Sequence, residues 1–413
     1  MPIRNSHTAT GRNKLRFLGL GALTAATIGA TTATVLSMQG PDKVPPVDAL
    51  TTDPPGGGEW PFVSIIVPAR NEERNLPKLL PTLLSQHYPH YEVIVIDDQS
   101  TDATPHILAE WAARDPRLHV IMGEDLRKDE GWMGKPHAMM QGARIARGEW
   151  LLFTDADTQH EPLSLGSSIA YAIKHKVDLF TIAPTMEIVS PSEKLIMPIA
   201  TMGISFLYPF YKVNDPKSSI AIANGQYIMV RRDVYDAVGG VERVKSKIAE
   251  DLEFGKAVKS DGYKLHLADG RHIMSVRMYT NFQEVWEGWS KNVVLSMKGN
   301  PLQAVLSVTG VFSIVGLPFV LVRWVSRLWK AANSTGNAQD KIAAGWATAI
   351  SSWFLALPLV YRFRIDQALG LSPLWTLTMP VGVATFGVLM LSSLIRILTG
   401  KGVTWKGRTY ADK

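Results

Sequence analysis

The stretch VSIIVPARNEERNLPKLLPTLLSQHYPHYEVIVIDDQS, Val63 to Ser100, decides the fold. Its two short apolar runs, Val63 to Val67 and Val93 to Ile96, read as buried strands, with a helical pattern over about residues 73–86 between them. Farther along the chain, His119 to Met122 and Trp150 to Phe153 repeat the strand signal, and helical patterns fall at about 103–113 and 136–147. This βαβα order predicts an α/β fold with a parallel sheet and helices on its faces. Ligands in such sheets bind beyond the carboxyl ends of the strands, so the polar clusters are read there.

Composition narrows the function. The 413 residues hold 43 Lys and Arg against 37 Asp and Glu, a net charge of +6, but the excess is not spread evenly. Residues 60–300 carry 27 basic and 30 acidic side chains, whereas the first sixteen and last eighteen residues each contribute +4. A nucleic-acid-binding core concentrates positive charge on its folded part, so no nucleic-acid partner is expected. The absence of cysteine excludes a disulfide scaffold, cysteine-ligated metal and a thiol nucleophile.

Uncharged runs divide the chain. Phe17 to Pro41 is long enough to cross a bilayer core of about 30 Å, although its Thr, Ala and Gly content also suits a signal-anchor or targeting segment. Three richer runs follow the α/β region: Gly299 to Val322, Ile342 to Tyr361 and Gln367 to Ile395, with Trp324, Trp329, Tyr361, Trp375 and Trp405 near their ends. They predict two or three membrane helices. The Pro- and Gly-rich stretch from Pro41 to Gly58 reads as a linker without a core. The expected organisation is an N-terminal apolar segment and linker over 1–59, an α/β domain over 60–300, transmembrane helices over 301–398 and a basic tail over 399–413.

Each strand end carries a polar cluster. The first ends in Pro68-Ala69-Arg70-Asn71-Glu72-Glu73 and the second in Asp97-Asp98-Gln99-Ser100-Thr101-Asp102. Together they could hold a base and ribose by hydrogen bonds, or they could simply cap helices and turns. The fourth strand ends in Phe153-Thr154-Asp155-Ala156-Asp157, whose two carboxylates could aim at one Mg²⁺ or Mn²⁺ or form a solvated turn. Lys135, in Gly134-Lys135-Pro136, could meet phosphate or lie at the surface. Asp251, beside Glu250 in Ala249-Glu250-Asp251-Leu252, could act as a general base or as a helix cap.

The order VSIIVPARNEE, VIVIDDQSTDAT, GKPHAMMQG, FTDADT, NGQYIMVRR, AEDLEFG resembles the inverting family 2 glycosyltransferases over roughly residues 60–300. The resemblance implies a Rossmann-like GT-A nucleotide-sugar domain followed by an α-helical transmembrane region. It places Pro68, Arg70, Glu72 and Asp98, with Ala69 and Asn71 in the same motif, on the nucleotide pocket, and Lys135 on the lysine of the third motif. Asp155 and Asp157 fall on the metal-binding pair, Asp155 also lining the nucleotide-sugar site. Gly225 and Gln226 fall on the acceptor or diphosphate loop, Asp251 on the catalytic base, and Glu250 beside it.

One departure bears on the product. Processive members carry Gln-x-x-Arg-Trp, whereas Gln283-Glu284-Val285-Trp286 lacks the Arg. The stretch from Met278 to Val293 is similar instead to carotenoid- and hopanoid-associated members of the bacterial lipid-modifying branch. Phe282, Val285, Trp286, Trp289 and Val293 share one helical face, with Glu284, Glu287 and Lys291 directed elsewhere, and Leu195 to Tyr211 is an uncharged run broken by Pro198 and Pro209. Both could guide a lipid acceptor, Trp286 and Trp289 included, or both could pack as core.

These readings give a membrane-bound transferase that moves a sugar from a nucleotide diphosphate, UDP-sugar foremost, to a lipid hydroxyl with Mg²⁺ or Mn²⁺. Alternatives are a polysaccharide synthase, a polyprenyl-phosphate sugar transferase, or a degenerate domain serving as a membrane scaffold. The expected location is the plasma membrane, multi-pass, with the catalytic domain cytoplasmic because nucleotide sugars are. Positive charge ahead of the first run (Arg4, Arg12, Lys14, Arg16), between the C-terminal runs (Arg323, Arg327, Lys330) and at the tail favours the opposite orientation.

Overall fold

The computed structural model describes residues 19–36, 44–47, 54, 58–247, 249–297, 301–399, 403–405 and 408–410. In chain order the elements begin with α1 (Gly19–Leu36), β1 (Val63–Ala69), α2 (Leu76–Leu84), β2 (Tyr91–Asp97), α3 (Thr104–Ala112), β3 (Leu118–Met122), α4 (Gly134–Ile145) and β4 (Trp150–Phe153). They continue with β5 (Thr158–His160), α5 (Ser164–Lys174), β6 (Leu179–Ala183), β7 (Thr185–Met186), α6 (Pro191–Leu207), β8 (Ile228–Arg231), α7 (Arg232–Ala237) and α8 (Glu250–Ser260). The last are β9 (Leu265–Asp269), β10 (Met274–Val276), α9 (Phe282–Met297), α10 (Pro301–Thr335), α11 (Ala338–Ala368), α12 (Met379–Leu398), β11 (Val403–Trp405) and β12 (Arg408–Tyr410). Contacts divide the chain into two compact units. One takes residues 1–39, 191–207 and 297–399; the other takes 40–190, 208–296 and 400–413.

The second unit is built on a seven-stranded sheet in the order β3-β2-β1-β4-β8-β6-β9. β1 pairs in parallel with β2 and β4, and its register sets Ala69 opposite Asp97 and Ile66 opposite Phe153. The Arg70, Asp98 and Asp155 motifs therefore leave the sheet at one edge, flanking the point where strand order reverses. The sheet is mixed rather than wholly parallel, because β8 runs antiparallel to both β4 and β6. After β6 the chain never crosses back to the amino edge; it re-enters at the carboxyl edge and must run the other way. That reversal brings residues 224–226 to the same edge as Asp155.

Each face of the sheet is covered by an amphipathic layer. On α2, Leu76, Leu79, Leu80, Leu83 and Leu84 recur at helical spacing, and all five are buried against Ile65, Val67 and Val95. On the other face, Ala138, Met139 and Ala143 of α4 pack with Ile66, Ile96 and Phe153. A smaller sheet, β5-β10-β7, stands beyond β4 and is fixed by the register of Met274 with His160.

Part of the segment expected to be a coreless linker belongs to this unit. Val47 N–H donates to Asp269 O at 3.0 Å, Asp269 N–H donates to Pro45 O at 2.8 Å, and Val44 and Val47 are buried. A proline is tolerated on such an added edge segment because its missing N–H faces away from the pairing strand.

The helical unit holds α1, α6, α10, α11 and α12. Gly19–Leu36, Ala338–Ala368 and Pro373–Arg396 are long and apolar enough to cross a membrane, and Val305–Ser313 with Gly316–Thr335 form a fourth candidate bent by 49°. Polar groups in these helices are satisfied internally: Thr24, Thr27 and Thr31 each return a hydroxyl hydrogen bond to the carbonyl four residues earlier. Leu195 to Tyr211, an uncharged run broken by Pro198 and Pro209, is helical through Leu207. Pro198 removes the N–H that would bind the Lys194 carbonyl, and Arg362 Nη2 donates to that carbonyl at 2.8 Å instead. Arg362 is itself fully buried and paired with Asp366 at 2.8 Å, whose other oxygen accepts from Thr376 at 2.9 Å.

Candidate active site

The two loops after β1 and β2 staple one another. Arg70 Nη1 donates to the carbonyls of Asp98 at 2.6 Å and Gln99 at 3.0 Å. Asn71 N–H donates to Ser100 Oγ and Asn71 Oδ1 accepts from Thr101 N–H, while Glu73 and Asp102 each accept from the opposite loop. Asn71, Glu73, Ser100 and Asp102 thus carry out the capping work that was the plainer reading of these motifs. Asn71 and Gln99 adopt positive φ, 53° and 59°, so the backbone of both loops is held in sparsely populated conformations. Glu72, Asp97 and Asp98 are buried, and Pro68 and Ala69 line the same strand end.

The strongest convergence lies one strand over. Lys135, at the start of α4, places Nζ 2.7 Å from Asp155 Oδ1 and 3.1 Å from Glu250 Oε1. Asp251 opens α8 next to Glu250, accepts from the N–H of Gly225 through Oδ2 at 3.0 Å, and accepts from Leu252 N–H through Oδ1 at 2.8 Å. Three acidic side chains and one ammonium therefore meet at residues distant in sequence. Burial, and then Glu250, raises the Asp251 pKa from 3.8 to about 6, against the opposing pull of Lys135 and two backbone donors. Burial alone would lower the Lys135 pKa, but Asp155, Glu250 and Asp251 outweigh it and hold the ammonium well above its ordinary value.

Asp157 takes a different direction from Asp155. It lines a cavity with Arg74, Arg277 and Thr280, and its carbonyl accepts from Arg277 N–H at 3.1 Å. Among the described residues no group of three or more His, Asp or Glu side chains is arranged to hold a metal by itself. Asp155 and Asp157 nonetheless offer hard oxygens, and such donors suit an Mg²⁺ or Mn²⁺ that takes its remaining ligands from phosphate and water.

Several positions escaped the sequence reading. Thr154 Oγ donates to the Gln226 carbonyl at 2.8 Å, and Thr158 Oγ donates to the Asp155 carbonyl at 2.8 Å. His160 Nε2 lies 3.1 Å from the first hydroxyl and 3.2 Å from the second, and since both hydroxyl protons are committed elsewhere, the ring nitrogen is the donor. Burial pushes the His160 pKa down to about 3, so the ring stays neutral and holds the Asp155 turn to the Gly225-Gln226 loop. The clue was the Thr-x-x-x-Thr-x-His spacing, but it has no meaning until β5 folds back.

Lys291 also differs from expectation: it lies within electrostatic reach of Glu250, Lys135, Asp155 and Asp251. Burial lowers its pKa against the pull of the three acids. On the same helix the apolar stripe divides. Val285, Trp289 and Val293 are buried as core, whereas Phe282 stays half exposed with its ring centroid 5.7 Å from that of Trp286.

The sequence model described as Glycosyl transferase family 2 matches residues 64–239. The 4,4'-diaponeurosporenoate glycosyltransferase of Staphylococcus haemolyticus (strain JCSC1435) is 30% identical over 236 residues, 56% of this chain and 61% of that protein. The protein of the same name from Staphylococcus aureus (strain USA300) is 26% identical over 266 residues, 62% of this chain and 68% of that one. The chain thus matches less than two thirds of the first relative's length. A solved structure of the mannosyltransferase PcManGT from Pyrobaculum calidifontis, in complex with GDP-Man and Mn2+, shares the fold at a TM-score of 0.51 and 18% identity, covering 92% of this chain and 97% of that one. Motif order, sheet topology and sequence match agree on a glycosyltransferase family 2 domain carried by residues 64–239.

Proposed function

We propose that the chain transfers a sugar from a nucleotide diphosphate to the hydroxyl of a membrane lipid, with inversion at the anomeric carbon. The observation that carries this reading is the meeting of Asp251 with Lys135, Asp155, Glu250 and the Gly225 N–H at the carboxyl edge of the sheet. Relatives named for a carotenoid acid, and helices able to cross a membrane, support a lipid acceptor and a membrane location. A structural neighbour crystallised with GDP-Man and Mn2+ is in keeping with a nucleotide-sugar donor, for which a UDP-sugar is our first choice.

In this mechanism Arg70, Glu72 and Asp98 hold the nucleoside, with Pro68, Ala69 and Asn71 shaping the loop. Asp251 accepts the proton of the attacking hydroxyl as oxygen bonds to the anomeric carbon and the bond to the diphosphate breaks. A pKa of about 6 leaves this carboxylate mostly ionised at neutral pH yet basic enough to take a proton. Glu250 and Lys135 fix its surroundings, and Lys135 brings positive charge toward the departing diphosphate. Asp155 and Asp157 would hold Mg²⁺ or Mn²⁺, which supplies Lewis-acid stabilisation to the leaving group when bound. Gln226 and Trp286 border the acceptor side in this assignment, whereas Trp289, expected beside them, is buried as core.

The test is Asp251→Asn in purified membrane-embedded protein. Transfer should fall by about 10²–10⁴-fold, the usual contribution of a general base, while nucleotide binding is retained. The wild-type kcat/KM should fall as pH drops through about 6, because protonation removes the base, and the residual activity of the variant should lack that limb. Turnover in the variant at the wild-type rate would refute the base assignment.

A further inference from the structure

Apart from Asp157, the residues lining the cavity beside it have no part in the donor and base assignments above. The cavity walls bring together cations from two parts of the chain: Arg74 and Lys78, just before α2 and within its first turn, and Arg277, which follows β10. Arg74 is engaged, reaching Thr280 Oγ at 2.9 Å and Glu284 at 3.0 Å. Lys78 and Arg277 form no side-chain ion pair among the described residues, and the Arg277 Nε is buried without a hydrogen-bond acceptor. A guanidinium N–H removed from water and left without an acceptor is unfavourable, and an anionic oxygen placed there would correct it.

Next to the cavity in sequence stands an exposed aromatic ring. Thr280 is on the cavity wall, and two residues later the half-exposed Phe282 begins the α9 stripe against Trp286. The chemistry that satisfies both features is an amphiphile with an anionic head. We infer that the cavity bordered by Lys78, Glu187 and Arg277 is a recognition site for the carboxylate or phosphate head group of the acceptor lipid. Arg277 N–H donates to the Asp157 carbonyl, so this head group would sit beside the Asp155-Ala156-Asp157 turn. Glu187, whose carboxylate accepts from Ser275 Oγ at 2.8 Å, and Asp157 on the same cavity oppose the anion and limit how tightly it is held.

This inference rests on the lipid-acceptor reading, and its test separates the two. Full-length protein in nanodiscs would be titrated with oleate, oleyl phosphate and oleyl alcohol, with empty nanodiscs as the blank and UDP binding measured in parallel. Wild-type protein should prefer one of the two anions over the alcohol, and whichever binds more tightly identifies the head group. Arg277→Gln should weaken that anion at least about tenfold and Lys78→Gln by a smaller factor, with binding of the alcohol and UDP unchanged. Glu187→Gln should tighten it, a gain that a misfolded protein could not show. Equal affinity for anion and alcohol, or variants that alter UDP binding in place of oleate binding, would overturn the proposal. Failure of sugar transfer with every acceptor would instead remove the lipid-transferase reading and leave the binding result standing.

Discussion

Gly225 leaves no room for a methyl group. A Cβ built there would lie 2.8 Å from Asp251 Oδ2 and 3.0 Å from Lys135 Nζ, the two side chains that a transferase would least tolerate shifting. Gly225→Ala should therefore leave the fold intact, since the position is not at positive φ, yet lower kcat by about 10²-fold through misplacement of the base. Steady-state kinetics beside a thermal melt would check it; a normal kcat would show that the loop yields to the methyl group. At this scale the sequence spoke clearly about residue types and poorly about directions. Asp155, Lys135, Glu250 and Asp251 were all legible as motif residues, and they meet. Asp157, two positions from Asp155, was read as a partner on the same ion, and its place on the Arg74 and Arg277 cavity was not foreseen. Alternation along an extended chain sends successive side chains to opposite sides, but at a turn the next residues depend on what folds back, here β5 and β10. Lys291 was hidden for the same reason: a helical wheel gives its angle relative to Trp289, not the element it meets.

Among the elements, α6 shows how a break in one helix is repaired by another. Its uncharged sequence and Pro198 were visible from the start, but the repair was not, because the donor lies more than 160 residues away on α11. Arg362 serves the Lys194 carbonyl and Asp366 at once, with both ionised side chains fully buried. Arg362→Met would strand a buried carboxylate and an orphan carbonyl, a change expected to cost about 3–5 kcal/mol. Adding Asp366→Leu should recover most of that loss, and adding Pro198→Ala, which returns an N–H to the Lys194 carbonyl, should recover a further part. Thermal unfolding of the single, double and triple variants in one detergent would measure the series. A triple variant no more stable than Arg362→Met would mean that the α6 carbonyl has no need of Arg362. The strands were easier to foresee. Four continuous apolar runs gave β1 to β4 to within two residues at either end, whereas β8 could not be oriented in advance, since its direction depends on the edge at which the chain re-enters.

For the molecule as a whole, the tail restricts the number of membrane crossings. Residues 400–413 belong to the same compact unit as the sheet, so the chain between 297 and 399 must cross an even number of times if that unit lies on one side. Three apolar stretches compete for this interval, and the bent pair Val305–Ser313 and Gly316–Thr335 is the one whose geometry also suits a re-entrant loop. We predict two crossings, by Ala338–Ala368 and Pro373–Arg396, a topology that would return the tail to the catalytic side. Arg396, Lys401, Lys406 and Arg408 accompany it, and positive charge of this kind favours the cytoplasm. On that topology the tail and Arg323, Arg327 and Lys330, whose charge read from sequence alone favours the opposite orientation, would fall on the catalytic side, and the four basic residues ahead of Gly19–Leu36 argue for the reverse. The chain contains no cysteine, so the question can be put without a background: single cysteines at exposed Lys256 on α8, and appended after Lys413, would be probed with a membrane-impermeant maleimide on intact cells. Both should stay unlabelled until the membrane is permeabilised. Labelling of the tail alone would restore an odd number of crossings, and labelling of both on intact cells would place the donor site away from its substrate.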